Sequence, residues 1–107
     1  MLFRSGGGYG GGAFRVGGGV SAPRLVHKVD PEYSEQARKS KFQGAVVLSV
    51  VVQKDGTVRD IRVVRSLGLG LDEKAIEAVK QWRFQPGEKS GQAVDVIAQV
   101  EVTFRLL

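Results

Sequence analysis

Residues 45–52, AVVLSVVV, lead through Lys54-Asp55-Gly56 into a second β-rich run at 57–66, TVRDIRVVRS. Valine and isoleucine are restricted at the first side-chain torsion and suit a pleated surface, so both runs read as strands. Asp55-Gly56 supplies the positive backbone torsion that a primed two-residue turn or a bulged three-residue loop requires, and the pair reads as a β-hairpin. The first strand is apolar on both faces apart from Ser49, which suits a central place in a sheet. The second interleaves Arg59, Asp60, Arg62 and Arg65 with Val58, Ile61, Val63 and Val64, which suits an edge. Val58 falls in even phase but Ile61 and Val63 in odd phase, so the spacing predicts a bulge near Arg59-Asp60.

A fold built on this hairpin has few residues to work with. The chain has 107 residues, and nine of its 15 glycines fall in 1–19, MLFRSGGGYGGGAFRVGGG. Glycine at that density loses too much backbone entropy on ordering, so 1–19 reads as a Gly-rich flexible linker and 20–107 as one small domain. A chain that opens on a linker is expected to continue upstream. There is no cysteine, which excludes disulfides, thiolate metal ligation and a cysteine nucleophile. The net charge of +5 is mild, and the basic residues alternate with acidic ones. Tyr9, Phe14 and Val16 beside Arg4 and Arg15 lack the repeated units of a glycine-rich RNA-binding arm, so no nucleic-acid partner is expected. No run approaches the roughly 18–20 apolar residues that span a bilayer, and no signal-peptide pattern is present. The reading is of a soluble chain without an address of its own.

From 20 to 30 the chain is extended, with Pro23 and Pro31 biasing their neighbours away from helix and Leu25, Val26 and Val29 able to pack down. Asp30-Pro31-Glu32-Tyr33 opens a first helix, with Asp30 as capping carboxylate and Pro31 at the first helical position. That helix runs to about Lys41, Tyr33 and Ala37 facing inward. Gly44 ends the connection into the hairpin. Beyond the hairpin, Leu67-Gly68-Leu69-Gly70-Leu71 is a turn, and Asp72 caps a second helix to about Arg83, striped by Leu71, Ala75, Ile76, Val79 and Trp82. Trp82 and Phe84 are core anchors on this reading. Pro86-Gly87 stops the helix, and 88–91 is a polar loop.

Apolar and polar residues then alternate over 94–106, with Val94, Val96, Ala98, Val100, Val102, Phe104 and Leu106 in one phase. This is the third strand. A right-handed crossover returns it parallel to the second strand, and if it skips past the first the order becomes 2-1-3. The predicted fold class is α+β: two helices packed on a three-stranded antiparallel sheet of order 2-1-3. The most apolar strand is then central, and the third strand lies at an edge with a row of unpaired main-chain donors and acceptors.

No catalytic constellation accompanies this fold. His27 is the only histidine and lies in an extended segment, so neither a His-based metal site nor a catalytic pair can be assembled. Caps and turns account for the neighbouring carboxylates Asp72 with Glu73 and Asp55 with Asp60. Gly68-x-Gly70 lacks the spacing of a phosphate loop.

The ordered set Pro31-x-Tyr33-x-x-x-Ala37-Arg38, Gly44, Asp55-Gly56-x-Val58-x-Asp60-Ile61, the turn at 66–70, Leu71-Asp72, Ala75 and Trp82-Arg83-Phe84-x-Pro86 ahead of a terminal strand resembles the TonB C-terminal domain over about 20–107. The resemblance implies a TonB/TolA C-terminal-like fold in which Pro31, Tyr33, Gly44, Gly56, Trp82, Phe84 and Pro86 are structural. It implies a periplasmic, non-enzymatic energy transducer without cofactors. Such a domain binds the TonB box of outer-membrane TonB-dependent transporters by β-strand addition, coupling inner-membrane proton-motive force to import of substrates such as siderophores. It also implies an ExbB/ExbD-type motor, reached through an N-terminal inner-membrane helix absent here. The partner-binding residues implied are Lys28 and Asp30, just ahead of the Pro-x-Tyr motif. Along the edge strand they are Val96, Ala98, Gln99, Val100, Glu101, Val102, Thr103, Phe104 and Arg105, since an exposed edge is what strand addition requires.

Read from the residues alone, Lys28 and Asp30 are equally a solvated charge and a helix cap. Ser34 stands where the family usually has a second proline, and 67–70 replaces the usual serine-glycine turn, departures that bear on loop contacts rather than on the fold. A different reading makes the domain a TonB-like interaction or sensory module of a larger envelope protein, such as a membrane peptidase or signalling receptor. Homodimerisation stays open, as does the parity of the outward amides on the third strand.

Overall fold

Burial of the apolar hairpin against one layer of helices organises the molecule, and the computed structural model describes residues 12–106. In chain order the elements are β1 (Phe14–Arg15), β2 (Arg24–His27), α1 (Glu35–Lys39), β3 (Gly44–Val52), β4 (Val58–Arg65), α2 (Leu71–Val79), β5 (Arg83–Gln85), β6 (Glu88–Lys89), β7 (Gln92–Ala93) and β8 (Val96–Phe104). Tyr9 and the rest of the linker expected at 1–19 lie outside the described residues as far as Gly11. No helix among the described residues is long and apolar enough to cross a membrane.

The main sheet has the order β1-β8-β3-β4. Its β4-β3-β8 part is the expected antiparallel 2-1-3 arrangement, with the most apolar strand central. The three-stranded expectation needs correction, however, because β1 adds a fourth strand parallel to β8 and makes the sheet mixed. Val46, Leu48, Val50 and Val52 on one face of β3 join Leu71, Ala75, Val79, Trp82, Val102 and Phe104 in the core. The bulge expected near Arg59-Asp60 is present as a register break opposite Ser49 and Val51, with Asp60 at φ +51°. A second break follows where Val47 pairs with Arg65 but Leu48 with Val63.

The hairpin closes through the bulged three-residue loop. Gly56 N–H donates to the Gln53 carbonyl at 2.8 Å, and Gln53 N–H to the Thr57 carbonyl at 2.7 Å. Thr57 donates to Asp55 Oδ1 from its hydroxyl at 2.6 Å and its amide at 3.0 Å, and the hydroxyl bond foremost holds the Asp55 carboxyl below its ordinary value. Gly56 has φ +90°, and a Cβ there would lie 2.4 Å from the Phe84 carbonyl oxygen. Because Phe84 N–H also donates to the Gly56 carbonyl at 2.9 Å, the two backbones cannot separate without losing that bond. Gly56→Ala is therefore expected to cost about 2–4 kcal/mol, from torsional strain and the forced separation, read as a lower urea midpoint with an unchanged slope.

Both helices are shorter than their patterns suggest. The first begins at Glu35 because Ser34, not Asp30, caps it: Ser34 Oγ accepts from Ala37 N–H at 3.1 Å and donates to the Leu69 carbonyl at 2.5 Å. Tyr33 thus precedes the helix, with its hydroxyl on the Phe42 carbonyl at 2.8 Å and its ring edge-on to Phe104 at 5.5 Å. The second helix ends at Val79, not near Arg83. Gln81 and Trp82 donate to the Ala78 and Val79 carbonyls, a tightening to i→i+3 bonds that closes the last turn. The chain then extends as β5 and pairs with β2, setting Leu25 opposite Phe84. Contrary to the expectation that they pack down, Leu25 and Val26 are 43% and 62% exposed, since β2 contributes its main chain rather than its side chains. The polar loop expected at 88–91 is instead the tight β6–β7 hairpin, with Ser90 and Gly91 both at positive φ.

Asp72 does not cap α2, whose N-cap position is Gly70. Its carboxylate instead accepts from Leu67 N–H at 2.8 Å, Gly68 N–H at 3.3 Å and the Ser66 hydroxyl, and so holds the 66–70 turn. Burial pushes this carboxyl up, but the bonds from Ser66, Leu67 and Gly68 outweigh it and leave it below the ordinary 3.8. A depressed folded value contributes stability above pH 3.8 that is lost as pH falls through the folded value. Asp72→Asn is expected to cost roughly 1 kcal/mol at neutral pH and to shrink that gap in urea melts taken near about pH 3.

Candidate functional site

The two edges of the antiparallel core differ physically. On β4 the ladder breaks twice, and Arg59, Arg62 and Arg65 line the strand. Bulges and cationic side chains are the devices that blunt an edge. By contrast β8 is regular, pairing with β3 without a break from Gly44↔Phe104 to Val52↔Val96. A long regular edge is the one that another strand can extend.

Parity along β8 follows from a single bond. Phe14 N–H donates to the Asp95 carbonyl at 2.9 Å, in the parallel register that sets Phe14 beside Val96. The Asp95 carbonyl therefore points away from β3, and because main-chain groups alternate along a strand, so do those of Ile97, Gln99, Glu101 and Thr103. Val96, Ala98, Val100, Val102 and Phe104 turn their main-chain groups to β3. From Gln99 to Thr103 the outward row is paired with no strand among the described residues.

Side chains sort by the same parity. Val96, Val102 and Phe104 are buried in the core, and Ala98 and Val100 pack partly against it, so these five present neither side chain nor main chain to an incoming strand. Gln99, Glu101 and Thr103 stand on the outward parity and are exposed, as is Arg105 beyond the strand. Asp30 is also exposed, but not on this edge: it shares a concavity of about 210 Å³ with Glu32, Lys74, Glu77 and Gln81, none of them from β8. Lys28 lies two residues before it, in the segment that follows β2. The structure thus groups Gln99, Glu101 and Thr103 and separates them from Asp30.

Four positions escape the sequence reading. Ile97 has the outward parity, which alternation alone flags once one bond is known. Asp95 accepts from Lys54 N–H at 2.9 Å and from Arg59 Nη2 at 3.2 Å, fastening the hairpin tip to the start of β8. Phe14 and Arg15 occupy the beginning of the edge, for which glycine-rich composition gives no signal. No group of three or more His, Cys, Asp or Glu able to hold a metal ion occurs among the described residues.

Comparison with known proteins shows the family and the fold. Residues 29–106 match the family described as Gram-negative bacterial TonB protein C-terminal. Protein tonB2 of Pseudomonas aeruginosa is 35% identical over 82 residues, 76% of this chain and 30% of that protein. Protein TonB of Vibrio cholerae is 33% identical over 89 residues, 81% of this chain and 36% of that protein. This chain therefore spans about a third of the length of such relatives. The solution NMR structure of the Pseudomonas aeruginosa TonB C-terminal domain superposes with a TM-score of 0.63 at 25% identity, covering 78% of this chain and 86% of that one. Matched over 29–106 by the family profile and sharing the fold of a solved TonB domain, the chain belongs to the TonB C-terminal family.

Proposed function

We propose that this domain is the periplasmic end of an energy transducer. It captures the TonB box of an outer-membrane TonB-dependent transporter as an added strand on β8, and passes on work derived from the inner-membrane proton-motive force. An ExbB/ExbD-type motor in the inner membrane supplies that work through an upstream membrane helix. The role is mechanical, without catalysis or a cofactor.

The observation that carries this reading is the open outer row of β8 at Gln99, Glu101 and Thr103, in a domain of the TonB family whose other edge is blunted. Main-chain pairing supplies affinity in strand addition, while flanking side chains select the partner. Gln99, Glu101, Thr103 and Arg105 are the selecting side chains, and Lys28 with Asp30 forms a separate contact with the transporter plug. Titration of the isotope-labelled chain with a synthetic TonB-box peptide tests the reading by amide hydrogen exchange. New protection is expected at Gln99, Glu101 and Thr103 and not at Ala98, Val100 or Val102, which β3 already protects. Protection confined to β4, or none at saturating peptide, would overturn it.

A further inference from the structure

Within the glycine-rich stretch there is a built turn. Gly17 N–H donates to the Val20 carbonyl at 2.9 Å, and Val20 N–H to the Gly17 carbonyl at 3.1 Å. Between them Gly18 and Gly19 have φ of +59° and +89°, the paired positive torsions of a type I′ turn. Glycine takes both without a Cβ penalty. Val20, 7% exposed and bridged to Lys89 of β6, anchors the turn. The reversal sends Phe14 and Arg15 back along the start of β8, in parallel with Val96 and Ile97. Lys89 Nζ lies 4.6 Å from the centre of the Phe14 ring, a cation–π contact at the same place.

Resting on the β8 docking reading above, we propose that Phe14–Arg15 is an intramolecular stand-in for the transporter strand. It occupies the Asp95 carbonyl, and with it the Ile97 amide that a parallel ladder pairs to the Phe14 carbonyl. An incoming strand running the length of β8 needs both groups, so binding requires release of the arm. The arm is lightly held: Phe14 is 37% and Val16 52% exposed, and Phe14 is not part of the hydrophobic core. A short intramolecular connection compensates by raising its effective concentration. Gln99, Glu101 and Thr103 remain open as the place where a longer strand begins, and zipping toward Asp95 then displaces the arm.

Apparent affinity falls in proportion to the fraction of molecules with the site open, so an arm docked about 70–90% of the time weakens binding about 3–10-fold. Phe14→Pro in the full chain removes the N–H that reaches Asp95 while leaving the core untouched. It is expected to speed hydrogen exchange at Ile97 but not at Ala98, and to tighten binding of a synthetic TonB-box peptide by that same 3–10-fold. Gly19→Val, which strains the turn without touching β8, is expected to do the same. Faster Ile97 exchange with unchanged peptide affinity would refute the competition while leaving docking on β8 intact. Unchanged Ile97 exchange in both variants would show that the arm does not hold that amide, and would also refute it. A peptide that binds neither the parent chain nor the variants removes the docking reading and this inference together.

Discussion

Trp82→Ala is expected to destabilise the domain by about 3–5 kcal/mol, the range for truncating a buried large aromatic, read as a drop in the urea midpoint. Trp82 is 3% exposed and lies in the core with Leu71, Ala75 and Val79 of α2. Its ring centre is 6.3 Å from that of Phe84. The indole is also a hydrogen-bond donor: Nε1–H reaches the Val29 carbonyl at 2.8 Å, pinning the extended N-terminal segment to the end of α2. Small domains have total stabilities of about 5–15 kcal/mol, so this loss would leave a large fraction unfolded at moderate urea. Trp82→Phe separates the two contributions, keeping most of the apolar volume while orphaning the Val29 carbonyl. It is expected to cost about 1–2 kcal/mol. A Trp82→Ala midpoint within error of the parent would mean that the core does not depend on this ring.

Much of this was legible in the sequence, because burial leaves its mark as periodicity. The two-faced apolar run at 45–52 announced a central strand, the phase change between Val58 and Ile61 announced a bulge, and alternation over 94–106 announced β8. Features set by hydrogen bonds between distant segments leave no such mark. Nothing local chooses between Asp30 and Ser34 as the cap of α1: Ser34 Oγ takes the Ala37 N–H, and its bond to the Leu69 carbonyl, 35 residues away, fixes the hydroxyl there. Nor does the helical stripe ending at Trp82 reveal that β2 will draw 83–85 into an extended partner strand. The candidate site divides the same way. Alternation placed Gln99, Glu101 and Thr103 on one parity and Val100 and Val102 on the other, but choosing between them needed the single bond from Phe14 to Asp95. Glycine-rich composition hid the arm itself, because the same residues that make a linker costly to order also make a type I′ turn cheap to form.

That parity makes the docking edge testable by proline placement. Proline removes a main-chain donor and fixes φ near about −65°, so its effect depends on where the lost N–H pointed. At Val100 the N–H faces β3 in the middle of an unbroken ladder, where Leu48 is its register partner. Val100→Pro is therefore expected to cost about 3 kcal/mol or more and to unfold much of the domain. At Glu101 the N–H faces outward, so Glu101→Pro removes no bond to β3, and the fold is expected to survive with a modest loss of stability. Its effect falls on binding. The incoming strand loses a donor at the centre of the open row and meets the pyrrolidine ring, and affinity for a TonB-box peptide is expected to drop at least about tenfold, or about 1.4 kcal/mol. Glu101→Ala removes the exposed carboxylate but keeps the amide, so it is expected to change affinity less than about threefold, since main-chain pairing is largely indifferent to the side chain. Circular dichroism verifies the fold of each variant, and NMR titration reads the affinity. If Glu101→Pro stays folded and binds the peptide as tightly as the parent, the ligand does not pair with β8. If instead Glu101→Pro unfolds while Val100→Pro does not, the parity assigned from Phe14 and Asp95 is reversed.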